Sequence, residues 1–272
     1  MRYPKYMQNV LIGATAVTLV GSHFVPGADK PGPVMAAATA IATGRTIDSA
    51  PGAVATAATV SKGGLGELAA NALTALSGSV TKLSHPRALQ DAFTAYFAYK
   101  TAHPNDVKKP YLYFVDYGLA STEPRGYVFD MESLKVIDGP FTVAHGRGSS
   151  TSQFGVPTKF SNGSGSSMTS LGLYLTKATY SFTGHASGST YSSIGLRLDG
   201  VSEGFNDKAF ARGVVAHGAP YVTPSKAGRS QGCPAMEPGR AKKLLPELAN
   251  GAMVFLFAPN EKWMNGDKWV NS

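Results

Sequence analysis

The sequence predicts a β-rich α+β protein, and three observations carry that expectation. Beyond residue 110 the chain breaks into short β-branched or aromatic runs bounded by Gly, Ser, Asp and Pro. Its 31 glycines and 17 prolines favour turns and short strands over long helices. Ahead of that region lie two stretches whose apolar residues recur at helical spacing. A hydrophobic content of 43% against 15% charged residues excludes a disordered chain and supplies a core for one or two domains.

Taken in order, "MRYPKYMQNVLIGATAVTLVGS" reads as an export signal. Arg2 and Lys5 give a basic start, Val10 to Gly21 an apolar stretch, and Val20-Gly21-Ser22 a small-residue exit. The apolar stretch falls short of the roughly 20 residues that span a bilayer, so no stable membrane span is expected after processing. No cysteine follows it to carry a lipid anchor. Residues 25–63 are rich in Ala, Thr, Gly, Ser and Pro with few charges, the composition of a flexible linker.

"LGELAANALTAL" places Leu65, Leu68, Ala69, Ala72, Leu73 and Leu76 on one helical stripe, and "SHPRALQDAFTAYFAYK" does the same with Leu89, Phe93, Tyr96 and Phe97. Ser84 is a candidate cap for the second helix, with Pro86 near its first turn. Strands are expected at "YLYFVDY", "GYVFDM", "PFTVAHG", "LGLYLT", "IGLRLDG" and "GVVAHG". "EPGRAKKLLPELANG" reads as a helix ending at Gly251, and "AMVFLFAP" as a last buried strand. The expected organisation is an export signal at 1–24, a linker at 25–63 and a folded domain at 108–272, with a helical segment at 64–107 packing on that domain.

A formal charge of +8 favours an anionic partner such as a wall polymer, a membrane surface or nucleic acid. The basic residues are scattered, with runs no longer than Lys108-Lys109 and Lys242-Lys243 and no aromatic platform, so nucleic acid is not expected. Cys233, the one cysteine, cannot form an internal disulfide. It is a buried inert thiol, an intermolecular bridge or a reactive group.

Its neighbours favour reactivity. His217 ends the strand "GVVAH", and a Gly/Pro/Ser loop leads from it to "GRSQGCPAM". A thiolate that attacks and an imidazole that takes and returns a proton require such a pairing of rigid strand end and exposed loop. Gly232 lets the backbone turn and leaves its amide accessible; the amides of Gly232 and Cys233 are candidate oxyanion donors, each worth about 2.7–4 kcal/mol of barrier. Ser230 can assist or hold the loop, and Lys226 or Arg229 can add positive potential.

"HGAPYVTPSKAGRSQGCPAM" resembles the active-site signature of the murein L,D-transpeptidases, a His-Gly followed by a loop and Ser-x-Gly-Cys. "GLRLDGVSEGFNDKAFARGVVAHGA" and "VAHGRGSS…FSNGSGSSMTSLGLYLT" resemble a divergent branch of that family, over roughly Tyr111 to Ala258. The resemblance implies an L,D-transpeptidase-like β-sandwich catalytic domain, preceded here by the two helices. It implies Cys233 as nucleophile, His217 as base, and Ser230 with the Gly232 and Cys233 backbone around the oxyanion. The implied substrates are peptidoglycan stem peptides: a thioester forms at the third residue of a tetrapeptide stem, D-alanine leaves, and a second stem's amine makes a 3–3 crosslink. Water in that amine's place gives an L,D-carboxypeptidase. No cofactor is implied, carbapenem-type inhibitors are expected to bind, and the compartment is the periplasm or cell wall. Much of the family has an arginine two places after the cysteine, where this chain has Pro234-Ala235; Arg229 and Arg197 are candidate substitutes. A non-catalytic wall-binding module and a thiol-bridged interaction protein are the rivals from other classes.

Other residues keep two readings. "VAHG" occurs at 143–146 and again at 215–218, and His145, His185 and His217 are three histidines with no close metal-binding spacing. His145 lines the groove or caps a strand; His185 can equally be a solvated loop residue. Arg197 and Asp199 share a strand face, as a surface ion pair or a substrate-carboxylate contact. Asn206 is a turn residue or a substrate contact, Tyr174 a core aromatic or a stacking surface. Gly218, beside the base, is a further substrate-side candidate. The serine-rich run from Ser149 to Ser170 is a floppy loop or a hydrogen-bonding rim.

Overall fold

A computed structural model describes residues 62–186 and 188–272. The expected export signal, and the expected linker up to residue 61, lie outside them. The chain begins with α1 (Lys62–Leu76) and α2 (Arg87–Ala102). On α2 the apolar stripe packs as the spacing predicts: Leu89, Phe93 and Tyr96 are fully buried, and Phe93 meets Phe129 edge-on at 5.5 Å. On α1, Ala69, Ala72 and Leu76 are buried while Leu68 is exposed, so that stripe is narrower than expected. Ser84 does not cap α2, whose N-cap is Pro86. Its N–H and Oγ donate instead to Asp116, at 2.7 and 2.6 Å, tying the entry to α2 onto a strand end.

The strands come next in the chain: β1 (Tyr111–Asp116), β2 (Gly126–Asp130), β3 (Lys135–Phe141), β4 (His145–Gly146), β5 (Gly172–Ala186), β6 (Ser189–Gly200) and β7 (Val215–Gly218). Four short pieces succeed them: β8 (Val222–Thr223), β9 (Lys226–Ala227), β10 (Arg229–Ser230) and β11 (Ala235–Met236). The chain closes with α3 (Pro238–Leu248), β12 (Met253–Phe257) and α4 (Glu261–Gly266). Eight strands form one mixed sheet in the order β11-β7-β6-β5-β12-β1-β2-β3; β4 pairs with β10 and β8 with β9 in two small sheets. The α+β class is as the sequence predicts.

The sheet centre explains why β1 and β12 read as unbroken apolar runs. They pair in parallel, all five residues of β12 are buried, and α2 packs nearby, so neither strand needs a polar face. β5 changes character along its length. Gly172 to Leu175 and Thr176 are buried, and beyond them exposure alternates as β5 and β6 leave the core together as a hairpin arm. A register shift between Thr176 and Thr179 marks the departure. On α3, Ala241, Leu244, Leu245 and Leu248 obey the i, i+3, i+4, i+7 rule and face the sheet. That helix stops at Leu248, short of the expected Gly251; Ala249 is already extended and Gly251 takes a φ of +117° on the way into β12. Among the described residues no helix is long and apolar enough to cross a membrane.

Candidate active site

β7 and β11 run parallel at the end of the large sheet, with Ala235 opposite His217 and Met236 opposite Gly218. β11 starts two residues after Cys233, so this pairing brings the loop back beside the strand from which it departed. The His217 N–H donates to the Pro234 carbonyl at 3.2 Å, and the Val215 N–H donates to Cys233 Sγ at 3.5 Å. Val215 and His217 lie two apart on one strand and share a face. Together with Cys233 they line one cleft of about 600 Å³.

Backbone and packing set the state of His217. Its Nδ1 lies 3.0 Å from the Gly218 carbonyl, which can only accept, so Nδ1 carries the proton and Nε2 the lone pair. Ser193 Oγ donates to the same carbonyl at 2.9 Å. The Phe182 ring stands at 84° to the imidazole, 5.6 Å between centroids. Burial pulls the His217 pKa below its usual value, against the opposing pull of the Gly218 bond. Burial also pushes the Cys233 thiol up, countered by the Val215 N–H and the Arg212 charge. Both shifts favour the neutral thiol and the neutral imidazole over an ion pair.

The loop itself is clamped. Ser230 Oγ accepts from the Gly232 N–H at 3.1 Å and donates to the Cys233 carbonyl at 2.6 Å. Thr169 Oγ1 accepts from the Gly146 N–H at 3.0 Å and donates to the Gly232 carbonyl at 3.1 Å. Gly232 sits at φ +128°, where a Cβ would approach Met168 O to 2.8 Å. This corrects the expected oxyanion pair. The Gly232 amide is taken by Ser230, while the Cys233 N–H has no acceptor among the described residues and is the candidate donor beside the sulfur. Ser230 lines the cleft, and its hydroxyl is engaged in holding the loop.

Several expected substrate contacts are structural. Tyr174 is fully buried and bonds Ser170, so it cannot stack on a ligand. Asn206 is fully buried; its amide oxygen accepts from Ser202 N–H and its NH2 donates to the Leu173 carbonyl. Arg197 is exposed 4.5 Å over the Tyr180 ring, and Asp199 pairs with Lys177 rather than with it. Gly218 accepts from His217 Nδ1 through its carbonyl, and its lack of a Cβ lets α3 approach, since one would lie 2.9 Å from Ala241 Cβ. His145 neither lines the cleft nor reaches solvent. Its Nδ1 accepts from Arg125 Nη2 at 3.0 Å, and burial, then Arg125 and Arg229, pull its pKa down to about 3. His185 and Arg229 do line the cleft. The serine run is packed at its two ends and exposed over much of its middle: Ser149 is fully buried and its Oγ accepts from Thr169 N–H at 3.0 Å. Among the described residues no group of three or more His, Cys, Asp or Glu is arranged to hold a metal.

A model of the L,D-transpeptidase catalytic domain matches residues 81–257, more than half of the chain. The chain belongs to that family. The match starts ahead of α2 and so takes in a helix that the motif resemblance left outside. No curated protein matches the chain significantly. Among solved structures, an L,D-transpeptidase from Mycobacterium smegmatis is similar at 16% identity and a TM-score of 0.33, over 55% of this chain and 59% of that one. One from Stackebrandtia nassauensis matches at 18% identity and 0.33, over 63% and 66%. L,D-transpeptidase 3 from Mycobacterium tuberculosis, in complex with a faropenem-derived adduct, matches at 12% and 0.32, over 54% and 60%. This chain thus covers less than two thirds of each.

In this L,D-transpeptidase domain, Ala235 stands two places after the cysteine, fully buried in β11 between His217 and Ala144. The cationic groups on the cleft are Arg147 and Arg229; Arg197 does not line it. Residue reading missed Arg147, Phe182, Tyr191 and Tyr221. Arg147 had a signal, because it follows the first "VAHG" directly. The aromatics had none beyond alternation, which does not say what the outer face of a hairpin arm meets. Arg125 was missed too: it is fully buried, and donates to the Val143 and Leu119 carbonyls as well as to His145.

Proposed function

We propose that the domain is a cysteine acyltransferase acting on peptidoglycan tetrapeptide stems outside the cytoplasm, with Cys233 as nucleophile and His217 as base. The observation that carries this reading is the shared cleft: thiol and imidazole face one space, brought together by the β7–β11 register. Sγ attacks the carbonyl of the third stem residue as its proton passes to His217 Nε2. The Cys233 N–H bonds the developing oxyanion. The imidazolium then protonates the departing D-alanine amine, leaving a thioester. A second stem's amine attacks that thioester and yields the 3–3 crosslink.

Cys233 also borders a second cleft, of about 400 Å³, lined by Arg212, Val214 and Gln231 among others. Two approaches to one sulfur suit a donor and an acceptor, which favours transfer to an amine over hydrolysis to water. Inhibitors of the carbapenem type are expected to acylate the same sulfur. The test is mass spectrometry after incubation with a carbapenem: one drug mass is expected on the protein and none on Cys233→Ala. An unmodified, folded wild-type chain would favour a wall-binding module instead. Purified muropeptides then separate a 3–3 dimer from mere release of D-alanine.

A further inference from the structure

We propose that Arg147 and Arg229 form a carboxylate-binding site on the wall of the Cys233 cleft, taking a free carboxylate of the acyl donor. The choice of ligand rests on the acyl-transfer reading above, but the site itself is argued from geometry and charge. β4 and β10 pair in parallel, with His145 opposite Arg229 and Gly146 opposite Ser230. Arg147 follows Gly146, and its N–H donates to the Ser230 carbonyl at 2.8 Å. One arginine therefore begins β10 and the other directly follows β4, and both line the cleft that Cys233 and His217 line.

Their charge is not neutralised by the protein. The cleft lining contains these two arginines and no Asp or Glu. The ion pairs among the described residues involve neither arginine. Arg229 spends Nη1 on the Ser150 carbonyl at 3.1 Å, which fixes its fork and leaves further N–H groups. The Arg147 side chain is exposed and, among the described residues, makes no hydrogen bond. A planar guanidinium presents paired donors that match a carboxylate in two bonds. Two such groups on the cleft that the thiol lines select an anionic ligand.

Alkylation of Cys233 in the full chain tests this without any turnover. Iodoacetate and iodoacetamide deliver the same carbon to sulfur, but only the first carries a carboxylate. Relative to a free cysteine peptide, the wild-type rate ratio of iodoacetate to iodoacetamide is expected to rise about fivefold to tenfold, and to fall with added salt. Arg147→Gln and Arg229→Gln should each lower that ratio, the iodoacetate rate falling more than the iodoacetamide rate, and Arg147→Lys should keep part of it. A wild-type ratio equal to the free peptide's, a ratio unmoved in both variants, or no reaction with either reagent would overturn the proposal. So would equal slowing by both reagents, because that marks a loop disturbed rather than a charge removed. A chain that alkylates as expected but never acts on stem peptides would sink the acyl-transfer reading and leave the anion site standing.

Discussion

The chain carries the tetrapeptide Val-Ala-His-Gly twice, and the two copies meet opposite fates. At 143–146 the histidine is sealed, and at 215–218 it opens onto the cleft beside the thiol. His145 accepts a hydrogen bond at Nδ1 from Arg125, and burial, reinforced by the Arg125 and Arg229 guanidinium charges, disfavours its protonated form. His217 donates from Nδ1 to a carbonyl, which turns its lone pair to the outer nitrogen, and burial rather than a neighbouring cation keeps it neutral. Both imidazoles are held without charge, yet only one can act as a base. Identity of sequence fixed neither tautomer nor access; the partner at Nδ1 and the element packed outside did.

The largest expected effect breaks the pair apart. His217→Ala should slow acylation of Cys233 by about 10²–10⁴-fold, the usual worth of a positioned base. His145→Ala should leave the rate within about tenfold, since it touches neither sulfur nor cleft. Single-turnover acylation by a chromogenic β-lactam measures both. Equal losses would mean that the base has been misassigned.

How much of this was legible in the sequence differs between the copies for a physical reason. Strand ends, the His-Gly and the Ser-x-Gly-Cys loop are local patterns, so β7, α2, α3, β12 and the Cys–His pairing could be read from residues in order. What Ser230 bonds is not local in the same way. Its hydroxyl lies in the motif, but its capture of the Gly232 amide depends on the loop closing at φ +128°. Tyr174 and Asn206 suit a ligand by type and position; burial, set by elements far away in sequence, turns both inward. Arg125 lies beyond any pattern, as a cation whose partners are backbone carbonyls.

Stability against acid should show the resemblance that acylation hides. For His145 the folded value is about 3 against a usual 6.5, so the neutral form is the one the fold favours. Its contribution is complete above the unfolded value and is lost as pH falls from there towards 3. His217 is shifted in the same direction. His145→Gln should therefore flatten the loss of stability between those pH values, by up to about 1.4 kcal/mol per pH unit, and His217→Gln should flatten it below the usual histidine value. Urea unfolding at a series of pH values reads the slope. A histidine whose replacement leaves it unchanged is protonated in the fold as readily as in the unfolded chain.

The smallest effect is the most discriminating, because it concerns what keeps the cleft-side imidazole, the proposed base, neutral. His217 owes its low value to burial, and the outer part of that burial is the Phe182 ring standing edge-on against it from the hairpin arm. Phe182→Ala admits water to the ring and should raise its pKa towards the ordinary value near 6.5, moving the acid limb of acylation upward while the plateau rate changes less than about threefold. Phe182→Leu keeps an apolar cover and should hold the limb nearly in place. The acid-stability slope assigned to His145 should not respond to either change, since its neutrality comes from an interior the hairpin arm does not cover. A limb that stays put in Phe182→Ala would show that the sheet, not the arm, excludes water from the base, and the two histidines would then differ only in the partner at Nδ1.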